Sequence, residues 1–343
     1  MKLSTPRWWY ARDGRSGRVV RTLLRPVSWI WTWATARRIR AGQPIDPGVP
    51  VICVGNVTVG GAGKTPIVRE LLVQLTRHGL KAHGLSRGHG GRLKGPMQVD
   101  PDRHSAADVG DEPLMLAQDF PVWVSQDRAA GVRAAAEAGA QVIVMDDGHQ
   151  NPSVRKSLSL VVVDGETRDG EWPFGDGAVF PSGPMREPLA VGLARADAVV
   201  VLMPKDAGPP APDLLAEFAG KPVLVARLEP AARAPAGPQL AFAGVGKPWK
   251  VERALRESGL ALVDFASFPD HAEYDDRTLE FLAAHARNPG AGLLTTEKDW
   301  VRLSTDWRTR VKAWPVRARF EDQKALDQLL GFKPKPAARK RRP

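Results

Sequence analysis

The sequence predicts an α/β fold: a parallel sheet with helices on both faces, a smaller C-terminal α/β domain, and an N-terminal helix at a membrane interface. Three observations predict it. Short apolar runs recur between stretches of helical periodicity, as buried parallel strands do. One such run passes through a glycine-rich loop directly into a helix. The first 42 residues mix tryptophan with arginine and hold almost no acids.

At 343 residues the chain suggests two domains, or one large domain with additions. Hydrophobic residues make up 43%, enough to bury a sizeable interior. The single cysteine, Cys53, rules out an intrachain disulfide framework and any CxxC metal site, which fits a reducing cytoplasm. The net charge of +11 favours anionic partners: nucleic acid, acidic lipid or phosphorylated substrates. That charge gathers at the two ends. The basic, proline-containing tail from Lys333 to Arg342 reads either as a solvated, disordered end or as a weak contact for anionic lipid or nucleic acid.

Residues 1–42 form a segment of their own. Trp8, Trp9 and Tyr10 come first, then an apolar stretch from Val19 through Leu23, Leu24, Trp29, Ile30, Trp31 and Trp33, closed by Arg37, Arg38 and Arg40. No apolar stretch reaches the roughly 20 residues that span a bilayer. A clean apolar run followed by a small-residue cleavage site is also missing, so this is not a secretory signal. Two readings fit. The segment lies in a membrane interface, with tryptophans at headgroup depth and arginines on anionic lipid, or it packs its tryptophans on the domain behind it. Pro26 is expected to start or kink a helix.

The core follows. Val51–Val54, bounded by Pro50 and Gly55-Asn56, reads as a buried strand. The loop Val57-Thr58-Val59-Gly60-Gly61-Ala62-Gly63 leads into Lys64-Thr65 and a helix from Pro66 to Thr76, with Ile67, Val68, Leu71, Leu72 and Leu75 at helical spacing. Strand, glycine-rich loop and helix in that order are the context of a P-loop. Glycines let backbone amides turn toward phosphate oxygens, and the helix N-terminus adds its positive dipole end. Lys64 would reach the β- and γ-phosphates, and the Thr65 hydroxyl would ligate Mg²⁺. Thr58 stands where the usual pattern has its first glycine, with Gly60 and Gly61 supplying the flexibility. A second Mg²⁺ anchor is expected at the end of a neighbouring strand, and Gln141–Asp147 supplies an apolar run ending in Asp146 and Asp147. Which of the two binds the metal is left open. Leu158–Asp164 and Asp197–Leu202 continue the parallel pattern.

These motifs, with others in fixed order, resemble one family. They are Gly55–Pro66, Ser86–Gly91, Gly110–Pro113, Asp146–Gln150, Pro181–Pro188, Phe268–His271 and Thr295–Asp299. From about residue 8 to about residue 330 the chain resembles the tetraacyldisaccharide 4'-kinases of lipid A synthesis. A small hydroxyl residue at the Thr58 position is in keeping with that family. The resemblance implies transfer of phosphate from ATP to a tetraacylated glucosamine disaccharide 1-phosphate, giving the 1,4'-bisphosphate and ADP. It further implies a monotopic enzyme on the cytoplasmic face of the inner membrane of a Gram-negative bacterium, with ATP and Mg²⁺ as cofactors. The lipid substrate and the anionic membrane surface are the expected partners. No DNA- or RNA-binding signature and no obligate protein partner are evident.

The candidate residues divide by role. Asp111 precedes a helix from Pro113 to Gln118 and reads either as a helix-capping carboxylate or as a general base. The resemblance favours the base and pairs it with His271. Thr58, Val59, Gly60, Gly61, Ala62, Gly63, Lys64 and Thr65 are the ATP-binding loop. Arg87, Arg128 and Arg186 are candidate phosphate clamps, because guanidinium suits bidentate oxyanion contacts, with solvated surface charge as the alternative. Gln150 is a family match in a supporting role, whereas His149 stands where an aromatic residue is common. Thr65, Asp146 and Asp147 are the metal candidates, and Glu112 is either a further ligand or the partner of an arginine. The expected division is a membrane segment at 1–42, a P-loop core at 43–230, a second α/β domain at 231–330 and a basic tail at 331–343. The cleft between the domains is the expected active site.

Overall fold

The structure is a computed structural model that describes residues 5–167, 171–288 and 290–332. The basic tail from Lys333 lies outside the described residues. Strands β1 (Val51–Gly55), β2 (Ala82–Ser86), β3 (Met97–Gln98), β4 (Val122–Val124), β5 (Val142–Asp146), β6 (Leu158–Asp164), β7 (Ala198–Pro204) and β8 (Val223–Pro230) belong to one large sheet. Strands β9 (Gln239–Ala243), β10 (Leu262–Ser267), β11 (Gly292–Thr296) and β12 (Val311–Trp314) form a second, wholly parallel sheet in the order 10-9-11-12.

The large sheet runs in the order 13-8-7-6-1-5-2-4-3, where β13 is Val316–Phe320. It is parallel from β8 to β4, with antiparallel β13 and β3 at its edges. β1 lies at its centre between β5 and β6 and is buried along its whole length, as its unbroken apolar run requires. Helix α2 (Lys64–Arg77) lays Ile67, Val68, Leu71 and Leu72 onto one face of the sheet, all fully buried. A separate cluster around Val132, Ile143 and Met145 covers part of the other face. Truncating Leu72 to alanine is expected to cost about 2–5 kcal/mol of folding free energy, read from denaturant unfolding.

Two elements differ from the sequence expectation. The second sheet is built from residues 239–314, but the chain then returns. β13 pairs antiparallel with β8, and Ala318, Phe320 and Leu326 join the large core. Residues 318–329 therefore pack with the large sheet, and only Val316 at the start of β13 touches the cluster of the second sheet, whereas the expected division at 231–330 groups the whole stretch with that sheet. Alternation makes this possible: Arg317 and Arg319 face solvent while Ala318 and Phe320 turn inward, the pattern of an edge strand.

The other element is helix α1 (Arg18–Ala41), which runs through Pro26, so Pro26 does not start it. Pro26 and Thr22 are both exposed, so the carbonyl that loses its partner is open to solvent. The helix is turned inside out for a water-soluble protein. It buries Arg21, Ser28 and Thr35, while Val19 and Leu23 are each 74% exposed, Trp29 69% and Ile30 65%. Among the described residues no helix is long and apolar enough to cross a membrane.

Candidate active site

The loop after β1 takes its shape from backbone and amide contacts. Gly60 and Gly63 have φ of 101° and 75°, a region that glycine enters without strain. A Cβ on Gly63 would come within 2.3 Å of the Leu202 side chain, so the helix start sits close against β7. The buried Asn56 donates to the carbonyl of Thr58 at 2.8 Å, and the N–H of Val59 donates to the carbonyl of Pro184 at 2.7 Å. No side chain caps α2 at Gly63, which leaves the helix's positive end facing the loop. Lys64 Nζ lies 3.4 Å from Asn56 Oδ1 and 3.5 Å from Asp147 Oδ1.

Asp147 adopts a left-handed conformation, φ 52°, that turns its carboxylate toward this lysine. Arg186 Nη1 meets it at 2.7 Å while Arg186 Nε donates to the carbonyl of Thr58 at 2.9 Å. Burial pushes the Asp147 carboxyl up, but Lys64 and Arg186 outweigh it and hold the group well below the usual carboxylate range. Asp146 is the opposite case. It is buried, its Oδ1 has no hydrogen-bond partner among the described residues, and burial together with the charge of Glu112 pushes it up to about 7. An orphaned carboxylate oxygen beside a cationic lysine, with the buried Thr65 hydroxyl at the start of α2, suits a hard divalent cation. The described residues contain no cluster of three or more acidic, histidine or cysteine side chains that could hold a metal.

The candidate arginines part company. Arg186 faces Asp147 and the loop. Arg128 is buried and does not stand free as a phosphate clamp: it donates to the carbonyls of Ser125 at 2.8 Å and Asp146 at 3.1 Å, bracing the end of β5. Arg87 is exposed on the loop after β2. Gln150 bridges Asn56 O and Glu187, both at 2.9 Å, and accepts from Arg186 at 3.4 Å. His149 is buried between Ser159 Oγ and Gly192 O, and burial lowers it to about 4, so it is a neutral packing group.

Asp111 and His271 lie 160 residues apart in the chain, yet Nδ1 of His271 is 2.9 Å from Asp111 Oδ2. Arg302 grips the same oxygen through Nε at 3.0 Å and through Nη2, and Lys298 Nζ lies 3.9 Å away. Burial pushes the Asp111 carboxyl up, but the His271 hydrogen bond and the Lys298 and Arg302 charges carry it well below the ordinary value. Glu112 pairs with Lys298 at 3.3 Å. Arg302 is itself fixed by Asp299, at 2.8 Å, and Asp299 also accepts from Tyr274 at 2.8 Å. Sequence reading missed Arg302 and Tyr274 as parts of this cluster, and it placed Asp299 only within the Thr295–Asp299 motif, as support for the cleft. The only signal was that Arg302 lies three residues beyond the Thr295–Asp299 motif, one helical turn from Asp299.

A cavity of about 360 Å³ lies between the loop and the residues beside the Asp111–His271 pair. Gly61–Thr65 line one side, Lys247, Lys250 and Lys298 of the second domain line the other, and Leu202, Val251 and Trp314 make an apolar wall. Glu112 and Asp270, the chain neighbours of Asp111 and His271, also border it.

An amide-lined loop with a helix dipole behind it and an ion-paired carboxylate and imidazole ahead of it is machinery for moving a phosphoryl group, which defines the class as P-loop phosphotransferase. Comparison with known proteins narrows the class. Residues 20–333 match the family described as tetraacyldisaccharide-1-P 4'-kinase, and the chain belongs to that family. It is 67% identical over 330 residues to the tetraacyldisaccharide 4'-kinase of Caulobacter vibrioides, covering 96% of this chain and 98% of the relative. It is 64% identical over 331 residues to that of Phenylobacterium zucineum, covering 96% and 99%. The fold superposes on the crystal structure of LpxK from Aquifex aeolicus in complex with ATP with a TM-score of 0.72 at 27% identity, covering 91% of this chain and 98% of that one.

Proposed function

We propose that this kinase transfers the γ-phosphoryl group of ATP to the 4'-hydroxyl of a tetraacylated glucosamine disaccharide 1-phosphate in lipid A biosynthesis, releasing ADP. The observation that carries the reading is the shared cavity, which brings the loop at Gly61–Thr65 together with the immediate neighbours of Asp111 and His271. Lys64 neutralises charge on the β- and γ-phosphates, and the loop amides cradle them. Arg186 supplies a second cation at the same end. Asp111 orients the acceptor hydroxyl and takes its proton as the phosphoryl group transfers, while His271 holds the carboxylate in place. A carboxylate held this low is a weak base, which suits a loose transition state in which the proton leaves late. Thr65 and Asp146 fit a magnesium ion, which when bound would neutralise charge between the phosphates.

The acceptor's acyl chains keep it in a bilayer, so the enzyme must come to it. The outward Val19, Leu23, Trp29 and Ile30, with Arg18, Arg25, Arg37 and Arg40 on the same helix, support docking on the cytoplasmic leaflet of the inner membrane. Two experiments test the reading. Label from γ-labelled ATP should appear on the 4'-oxygen of the disaccharide lipid, and label elsewhere or only in free phosphate would refute the activity. The protein should float with anionic liposomes at low salt, and failure to float would refute the docking.

Removing the guanidinium at Arg302 tests how Asp111 is tuned. With one cation fewer, the charged form of Asp111 loses stabilisation and its pKa rises. Activity that needs ionised Asp111 is then lost at a higher pH as the medium is acidified. Arg302→Met is therefore expected to move the acidic limb of the kcat/KM profile upward, and an unmoved limb would mean that Arg302 does not tune this group.

A further inference from the structure

Helix α1 has a second face that membrane docking does not use. Arg21, Ser28 and Thr35 recur every seven residues along one stripe, and all three are buried. Buried polar side chains need partners, and two of this stripe, Arg21 and Ser28, find partners in the segment that leads to Arg186. Ser28 Oγ donates to the carbonyl of Val179 at 2.8 Å, accepts from the N–H of Ser182 at 3.1 Å and lies 2.8 Å from Ser182 Oγ. The Arg21 guanidinium pairs with Asp176. Trp31, at the edge of the stripe, donates from Nε1 to the carbonyl of Arg186 at 3.1 Å, and its ring meets Phe180 with centroids 4.9 Å apart.

The far end of the same segment is the phosphate site. The Arg186 N–H donates to the carbonyl of Val57 at 2.8 Å, and its guanidinium reaches Thr58 O and Asp147. The backbone of Arg186 is thus held at its N–H by the loop and at its carbonyl by α1.

We propose that Ser28 and Trp31 are positioning residues for phosphoryl transfer, fixing the 179–186 segment so that Arg186 meets the phosphate loop and Asp147. The inference rests on the role given to Arg186 above. A guanidinium sits at the end of a long side chain, so a tilt of its peptide is magnified at the charge. A misplacement of about 1 Å in an active site can cost about a hundredfold in rate. One helix then serves two ends: its outer face meets the bilayer and its inner face holds the cation beside the phosphates.

The test uses the full-length enzyme with acceptor at saturating concentration in detergent micelles, so that vesicle affinity does not enter. Trp31→Phe keeps an aromatic ring against Phe180 and deletes the indole N–H. Ser28→Ala removes the hydroxyl. Each is expected to lower kcat about tenfold; the melting temperature stays nearly unchanged in Trp31→Phe and falls in Ser28→Ala, which leaves the Val179 carbonyl and the Ser182 N–H without this partner. The decisive readout is a double-mutant cycle with Arg186→Ala. With Arg186 gone, Trp31→Phe should change kcat by less than about twofold, because the two residues act through one contact. Wild-type kcat in either single variant would overturn the inference for that residue, and in Trp31→Phe it would overturn the inference whole. So would an equal loss from Trp31→Phe whether or not Arg186 is present, since that marks general damage. Full turnover in Arg186→Ala would remove Arg186 from the reaction and take the inference with it, whereas an impaired Arg186→Ala beside an unimpaired Trp31→Phe would sink the inference alone.

Discussion

Replacing Asp111 with alanine is expected to cut kcat about a thousandfold while ATP still binds with near-native affinity. The carboxylate sits with His271, Arg302 and Lys298, and among the described residues it has no hydrogen bond or ion pair to the phosphate loop. Loss of the acceptor-side group should therefore leave the nucleotide side intact. Single-turnover kinetics paired with an equilibrium ATP titration separates the two. If the variant lost ATP affinity and kept its turnover, Asp111 would belong with the nucleotide and metal, and the base would have to be sought elsewhere. The variant also leaves Arg302 and Lys298 facing each other without their shared anion, so a conservative Asp111→Asn should be run beside it. Both are expected to be inactive, and the asparagine, which lacks the charge but keeps an oxygen for Arg302 to donate to, is expected to lose less stability than the alanine.

Replacing Lys64 with alanine is expected to lower kcat/KM about 10²- to 10³-fold, with part of the loss in ATP affinity. Lys64 Nζ rests between Asn56 and Asp147, near where the triphosphate would lie. Because it stands at the first position of α2 and outside the core cluster, the fold should survive, and a thermal melt would confirm that. Full transfer by the variant would contradict the assignment of the loop.

The sequence carries the phosphate side almost completely, because that side is local. Strand, loop, lysine, threonine and helix are contiguous, and their chemistry depends on spacing that can be counted. Asp146 and Asp147 are legible for the same reason, since an unbroken apolar run must end where the strand leaves the sheet. Their difference is not legible. That one is held charged by Lys64 and Arg186 while the other is buried and pushed toward neutrality depends on a left-handed turn at Asp147 and on neighbours from distant segments.

The acceptor side is legible only through the family resemblance. Nothing local to His271 says that it meets Asp111 across 160 residues, and nothing local to Arg302 says that it shares the same oxygen. Arg128 shows the reverse limit: an arginine after a strand looks like a clamp until its guanidinium is found spent on two backbone carbonyls. β13 could be seen as an alternating strand, but its place beside β8 depends on the chain crossing back, which periodicity does not encode. Pro26 does not start α1, and the carbonyl freed by its missing N–H belongs to Thr22, an exposed residue that solvent can reach.

The most direct measurement is a crystal structure of this chain with a non-hydrolysable ATP analogue and magnesium. The account predicts β- and γ-phosphates held by the amides of residues 60–65, Lys64 moved onto them from Asp147, and a cation between Thr65 and Asp146. Nucleotide bound elsewhere, with Lys64 still resting on Asn56 and Asp147, would contradict it.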